Sequence, residues 1–220
     1  MNRSLFRDRT DAGKRLATAL MEFKGQDTVV LGIPRGGVVV ADEVAKALGA
    51  PLDIVVTRKI EAPGEPEYAL GAVTQEGEVI VDKQAAESLN ASQEYLEAQI
   101  RLKRAEVAER TVKFRGNAPY PTLQGKVVII VDDGIATGSS VGAAVMSVRK
   151  RRPKEIVVAV PVAPKDAVET LTADGTRVVC LATPGPFLAI GEFYSVFDQV
   201  QDDEVSKIMD KNPKGTARLN

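Results

Sequence analysis

The chain is predicted to fold as an α/β protein on an open parallel sheet of about five strands flanked by helices. Short β-branched runs recur at TVVLG (28–32), LDIVVT (52–57), KVVIIV (126–131), EIVVAV (155–160) and TRVVCL (176–181). They carry little polar interruption, as strands covered on both faces do. Helix-length segments separate most of them, at VVVADEVAKALG (38–49), SVGAAVMSVRKR (140–151) and PKDAVETLTA (164–173). Strand and helix alternating in this way predict parallel pairing through right-handed crossovers.

The remaining elements fit around that sheet. DRTDAGKRLATALMEF (8–23) is predicted to be an amphipathic N-terminal helix. ALGAVTQEGEVIVD (69–82) alternates apolar and polar residues around Glu76-Gly77, the pattern of a β-hairpin. SQEYLEAQIRLKRAEVAERTVKFRG (92–116) reads as a long charged helix with apolar positions at Leu96, Ile100 and Val107. An aromatic-rich appendage runs from Pro184 to Asp210. With 220 residues, 44% of them hydrophobic, the chain suits one sizeable core and therefore a single domain over 1–220.

Composition excludes several classes of chemistry. There is no histidine and one cysteine, which rules out disulfides within the chain, Cys/His zinc sites and any catalytic arrangement built on histidine. Cys180, in the apolar run RVVCLA, is expected to be a buried inert thiol. Lys and Arg number 29 against 30 Asp and Glu, a formal charge of −1, so no global field attracts nucleic acid. The basic stretches RLKR (101–104) and RKRRPK (149–154) read as solvated or subunit-facing surface. No signal-like apolar segment opens the sequence, and no apolar run reaches about 18 residues; the protein is expected to be cytoplasmic.

Ligands of open parallel sheets bind at the carboxyl ends of the strands, and three unusual segments lie there. In VVIIVDDGIATGSS (127–140) an apolar strand runs into Asp132 and Asp133, then into Gly134, Ile135, Ala136, Thr137, Gly138, Ser139 and Ser140. Hydroxyls and glycine amides at a helix start form a phosphate cradle. The adjacent carboxylates suit two vicinal hydroxyls or hydrated Mg²⁺. In LGIPRGGVVVA (31–41), Gly36 and Gly37 let backbone amides approach a ligand, and Arg35 is a bidentate anion donor. In TRKIEAPGEPEYALGAV (57–73), Arg58 and Lys59 bring two cations to a strand end, and the polar EAPGEPEY suits a mobile lid over the ligand.

VVIIVDDGIATGSS closely resembles the phosphoribosyl pyrophosphate (PRPP) motif of type I phosphoribosyltransferases. The resemblance covers about residues 28 to 200 and is similar, through DRTDAGKRLA, LGIPRGG and GEFYSVFDQV, to a bacterial subgroup known only by the family's general name. It implies the type I phosphoribosyltransferase fold with a lid or hairpin over 58–82 and a C-terminal hood over 182–210. It further implies that Asp132 and Asp133 meet the ribose hydroxyls and that residues 134–140 take the 5′-phosphate. Arg35, Gly36 and Gly37 would bind pyrophosphate, assisted by Arg58 and Lys59, and Glu67 or Tyr68 would approach the reacting centre. The segment PFLAIG looks like the base-stacking hood of the 6-oxopurine enzymes, which makes Phe187 the stacking candidate and Ile190 an edge reader.

The implied reaction is Mg²⁺-dependent displacement of pyrophosphate from the ribose anomeric carbon by a nitrogenous acceptor. Magnesium would be held through PRPP and water near Asp132 and Asp133, with no direct protein ligand. The family's 6-oxopurine members carry an Asp before the Thr-Gly of the motif, where this chain has Ala136; that departure argues against hypoxanthine or guanine as acceptor. The alternative on the same fold is a non-catalytic PRPP- or nucleotide-sensing regulator. The resemblance is also compatible with a homodimer.

Overall fold

The computed structural model describes residues 4–116 and 118–212, Pro66 and Glu67 by backbone only. The extreme ends of the expected 1–220 domain and the Glu67 side chain lie outside the described residues.

The first half of the chain runs α1 (Arg9–Ala19), β1 (Thr28–Gly32), α2 (Gly36–Leu48), β2 (Leu52–Ile54), β3 (Arg58–Ala62), β4 (Glu65–Val73), β5 (Val79–Val81), α3 (Lys83–Ser88) and α4 (Gln93–Arg115). The second half continues with β6 (Val127–Val131), α5 (Ser139–Arg149), β7 (Glu155–Val162), α6 (Lys165–Ala173), β8 (Arg177–Ala182) and α7 (Asp202–Lys211). Five strands form one sheet in the order β2-β1-β6-β7-β8, and all of their pairings are parallel. This is the predicted architecture.

Strand alternation divides the core between the two faces of this sheet. Ile129 and Val131 face the cluster that contains Leu16, Val44, Val107 and Met209, from α1, α2, α4 and α7. Val128 and Ile130 face Val141, Val145 and Leu171, from α5 and α6. Every residue of β6 is buried, and each such side chain contributes about 1.5–3 kcal/mol by leaving water. A double-sided apolar requirement of this kind is why VVIIV reads so clearly as a central strand. Among the described residues no helix is long and apolar enough to cross a membrane.

The segment 57–73 departs from expectation. In place of a loop after the second strand, Arg58–Ala62 is itself a strand paired antiparallel with β4, and β5 completes a separate three-stranded sheet. The reason is an alternation hidden among charges: Ile60 and Ala62 are buried while Lys59 and Glu61 are not. Gly64, at φ +77°, makes the turn between the strands. Helix α4 holds this small sheet from outside, with the Tyr95 hydroxyl donating to the Glu61 carbonyl at 3.0 Å and Arg104 Nε to the Gly77 carbonyl at 3.0 Å. Two expected spans also shorten: β2 stops at Ile54, and the N-terminal helix is α1 followed by a single 3₁₀ turn at Met21–Phe23.

The far end of α4 is fixed by a buried ion pair. Arg115 Nε and Nη2 each donate to an oxygen of the Asp53 carboxylate at 2.7 Å. The same guanidinium donates to the carbonyls of Ala118 and Pro119 and lies 4.0 Å from the centre of the Tyr120 ring. Asp53 belongs to β2, so the pair ties the long helix to the edge of the main sheet.

Candidate active site at the switch point of the sheet

From β1 the chain passes by α2 to β2 on one side, and from β6 by α5 to β7 on the other. The point between β1 and β6 is therefore the topological switch, where open α/β sheets bind ligands. Gly32 pairs with Val131 in register, and the Ile33 amide donates to the Val131 carbonyl at 2.9 Å. The loops 33–36 and 132–138 thus leave the sheet side by side.

Asp132 and Asp133 stand at this point, with the Asp133 amide donating to Asp132 Oδ1 at 2.8 Å. Desolvation by the surrounding protein and the charge of Asp133 push the Asp132 carboxyl well above the usual carboxylate range. The start of α2 crowds both acids. A methyl group on Gly36 would overlap Asp133 Oδ2, and one on Gly37 would lie 2.7 Å from Asp132 Oδ1. These glycines are required for α2 to pack against the acid pair, a role separate from admitting a ligand to their amides.

A cavity of about 150 Å³ opens beside the acids. Asp132, Asp133 and the whole loop Gly134–Ser140 line it, together with Val141 and Ile190. Gly138, at φ 80°, is the N-cap of α5 and supplies no side-chain cap, so the Ser140 and Val141 amides of the first turn of α5 are positioned to meet an anion. The Thr137 and Ser139 hydroxyls lie 3.1 Å apart on the rim. Gly134 is confined, since a methyl group there would approach Ile190 Cγ2 to 2.6 Å. Ile190 therefore reaches the expected cavity. Phe187 is not among the lining residues; its ring packs against Phe193, with centroids 4.9 Å apart.

A smaller cavity of about 40 Å³ is lined by Ile33, Pro34, Thr57, Arg58, Arg110 and Ser140, among others. Ser140 borders both spaces. Arg58 donates through Nε to Glu106 Oε2 at 2.9 Å, and Arg35 Nη1 lies 3.6 Å from Asp202 Oδ1. Lys59 lines neither cavity, because successive side chains of a strand point to opposite sides.

Two further residues at the acid pair lie within segments that carry the resemblance, DRTDAGKRLA and GEFYSVFDQV, but had no role assigned to them. Arg9, in α1, donates through Nε to Asp133 Oδ2 at 2.7 Å. Tyr194 donates its hydroxyl to the Asp133 carbonyl at 2.6 Å, and burial, followed by the Asp133 charge, raises its pKa. The sequence signal for Arg9 was limited to its place within DRTDAGKRLA. Cys180 is half-buried, where the sequence predicts it buried; its thiol donates to the Ala182 carbonyl at 3.1 Å and burial pushes its pKa up, which keeps it a poor nucleophile. In the basic stretch, Arg149 pairs with Asp174 and Arg151 with Glu76.

A parallel sheet with an acid pair and a phosphate-type loop at its switch point defines a class of nucleotide- and sugar-phosphate-handling proteins. The family follows from the match of residues 7–183 to the model described as the phosphoribosyl transferase domain, and the chain belongs to that family. Two Mycobacterium tuberculosis proteins, from strains CDC 1551 and H37Rv and bearing the names "Putative phosphoribosyl transferase MT0597" and "Putative phosphoribosyl transferase Rv0571c", are each 42% identical over 207 residues. That alignment covers 94% of this chain and 47% of each relative, so the chain spans about half the length of the curated relatives it matches. The crystal structure of TT1426 from Thermus thermophilus is 46% identical, covers 93% of this chain and 97% of that one, and superposes with a TM-score of 0.85.

Proposed function

We propose that the protein is a Mg²⁺-dependent phosphoribosyltransferase that binds PRPP and transfers its phosphoribosyl group to a nitrogenous acceptor. The observation that carries this reading is the cavity in which Asp132 and Asp133 meet the loop Gly134–Ser140 at the start of α5. In this reading the loop and the open amides of α5 hold the 5′-phosphate, and the carboxylates accept hydrogen bonds from the two ribose hydroxyls. Arg35 and Arg58, with the amides of Gly36 and Gly37, receive the pyrophosphate, while Lys59, on the other side of β3, adds only its charge. Ile190 bounds the acceptor, and the hairpin of β3 and β4 covers the bound ligand.

The reaction breaks the bond from the anomeric carbon to pyrophosphate and forms one to the acceptor nitrogen, which gives up its proton. Positive charge rises on the ribose and negative charge on the departing pyrophosphate. The acid pair stabilises the first and the arginines the second. No histidine and no covalent nucleophile is required. Among the described residues no group of three or more His, Cys, Asp or Glu is placed to hold an ion. Asp132 and Asp133 would hold a hydrated magnesium ion beside the bound PRPP. When bound, that ion would neutralise charge on the leaving group.

Calorimetry tests the central assignment: Asp132→Asn combined with Asp133→Asn should abolish PRPP binding, and unchanged binding sinks it. A panel of bases and amines, supplied with PRPP and Mg²⁺, should release pyrophosphate with at least one acceptor. Hypoxanthine and guanine should be poor, since Ala136 offers no acid. Tight PRPP binding with no turnover on any acceptor replaces the transferase by a sensor.

A further inference from the structure

Arg110 belongs to none of the motifs, yet its side chain lines the smaller cavity beside Arg58, Pro34, Thr57 and Ser140. It has no hydrogen bond or ion pair with another described residue. Burial, then the charges of Arg58 and Arg35, lower the pKa of its guanidinium. Three guanidiniums are thus gathered at the carboxyl ends of β1 and β2, a costly arrangement without an anion to face. α4 holds Arg110 there, anchored at its end through Arg115 to Asp53.

Two internal carboxylates answer part of this charge. Glu106 takes Arg58, with Lys103 Nζ 3.8 Å from its other oxygen. Asp202, the first residue of α7, lies 3.6 Å from Arg35 Nη1 and bonds Lys113 Nζ at 2.5 Å. Lys113, and then the charges of Arg35 and Arg110, hold the Asp202 carboxyl below its usual range. Cations still outnumber carboxylates, and Ser140 joins this cluster to the main cavity.

We propose that Arg110 is a binding residue for the diphosphate end of the ligand, acting with Arg35 and Arg58, and that Asp202 is the internal anion which the diphosphate displaces. This rests on the reading of the neighbouring cavity as a PRPP site. Guanidiniums in a partly desolvated cluster offer a diphosphate charge-assisted, bidentate contacts that water-exposed lysines do not.

The test is calorimetric titration of the full chain with magnesium pyrophosphate, PRPP and ribose 5-phosphate. Arg110→Ala should weaken pyrophosphate and PRPP by about 10- to 100-fold and leave ribose 5-phosphate unchanged; Arg110→Lys should fall between. If Arg110→Ala does not fold, Arg110→Gln keeps most of the stem and reads the same loss. Asp202→Asn should tighten pyrophosphate about two- to fivefold, the value of a partly exposed ion pair. Equal pyrophosphate affinity with and without Arg110, or a wild type that ignores pyrophosphate, overturns the proposal; unchanged affinity in Asp202→Asn overturns the role of Asp202. Arg110-dependent binding of pyrophosphate in a protein that ignores PRPP and ribose 5-phosphate keeps the subsite and removes the PRPP reading instead.

Discussion

Arg9 Nε donates to Asp133 Oδ2 at 2.7 Å across 124 positions of sequence. The two side chains are 12% and 13% exposed. The Arg9 guanidinium also lies 3.8 Å from the centre of the Phe197 ring and donates to the Asp198 carbonyl at 2.7 Å. One arginine therefore connects α1, the acid pair and the C-terminal segment.

Removing that cation leaves Asp133 facing Asp132 without compensation. Arg9→Ala is expected to cost about 2–3 kcal/mol of stability, somewhat below the figure for a fully buried pair because both groups retain some solvent contact. Urea unfolding measures it. PRPP affinity should fall as well, and Arg9→Lys should recover part of the stability but not the stacking on Phe197.

Asp132 makes the free protein sensitive to pH. Its folded-state pKa is raised above the ordinary value of 3.8, so the native state holds the proton more tightly than the unfolded chain does. The stability this contributes is fully present below that value and is lost as pH rises through the raised one. Asp132→Asn should flatten that decline and be more stable than wild type at pH 8, by a margin that shrinks toward acid, while losing PRPP binding. Denaturant midpoints from pH 4 to 8 check it; parallel curves for the two proteins contradict it.

Glycines at the site and elsewhere should respond in opposite senses. Gly36→Ala drives a methyl into Asp133 Oδ2 and to within 2.8 Å of Arg9 Nε. It should cost about 1–3 kcal/mol, as overpacking does, and weaken PRPP at least tenfold. Gly142, within α5, has open space around it, and Gly142→Ala should stabilise by about 0.5–1 kcal/mol from helix propensity. Thermal melts of the two variants separate these effects.

The pair of Arg115 and Asp53, at 1% and 5% exposure, is structural. Arg115→Ala strands a buried carboxylate and should lower stability by about 3–5 kcal/mol. Asp53→Asn keeps the shape and one acceptor, and should lose less. A larger loss in Asp53→Asn would show that the ion pair is not what anchors α4.

The sequence was legible wherever structure is decided locally. An apolar run, two acids and a glycine-rich turn lie within fourteen consecutive residues, so both the central strand and its phosphate-type loop could be read from them. β3 was not legible as a strand, because Arg58, Lys59 and Glu61 mask the burial of Ile60 and Ala62. α3 escaped notice because it is a six-residue helix, marked only by an Asp82 cap. Arg9 and Arg110 acquire their places only when α1 and α4 pack on the sheet, and no local pattern encodes a contact over such separations. Gly36 and Gly37 stand out in the sequence as amides open to a ligand, whereas in the fold their missing side chains make room for carboxylates of the protein itself.

The N-terminal segment is held at the site by residues that come late in the chain. Phe6 bridges to Tyr194 in parallel fashion, the amides of Leu5 and Phe6 donate to the Phe193 carbonyl, and the Ser195 amide donates to the Phe6 carbonyl. During synthesis, α1 therefore emerges long before the partners that fix Arg9 against Asp133. The contacts of Arg9 with Phe197 and Asp198 can form only once residues beyond Tyr194 have left the ribosome, so the full set of contacts around the acid pair joins the two ends of the chain.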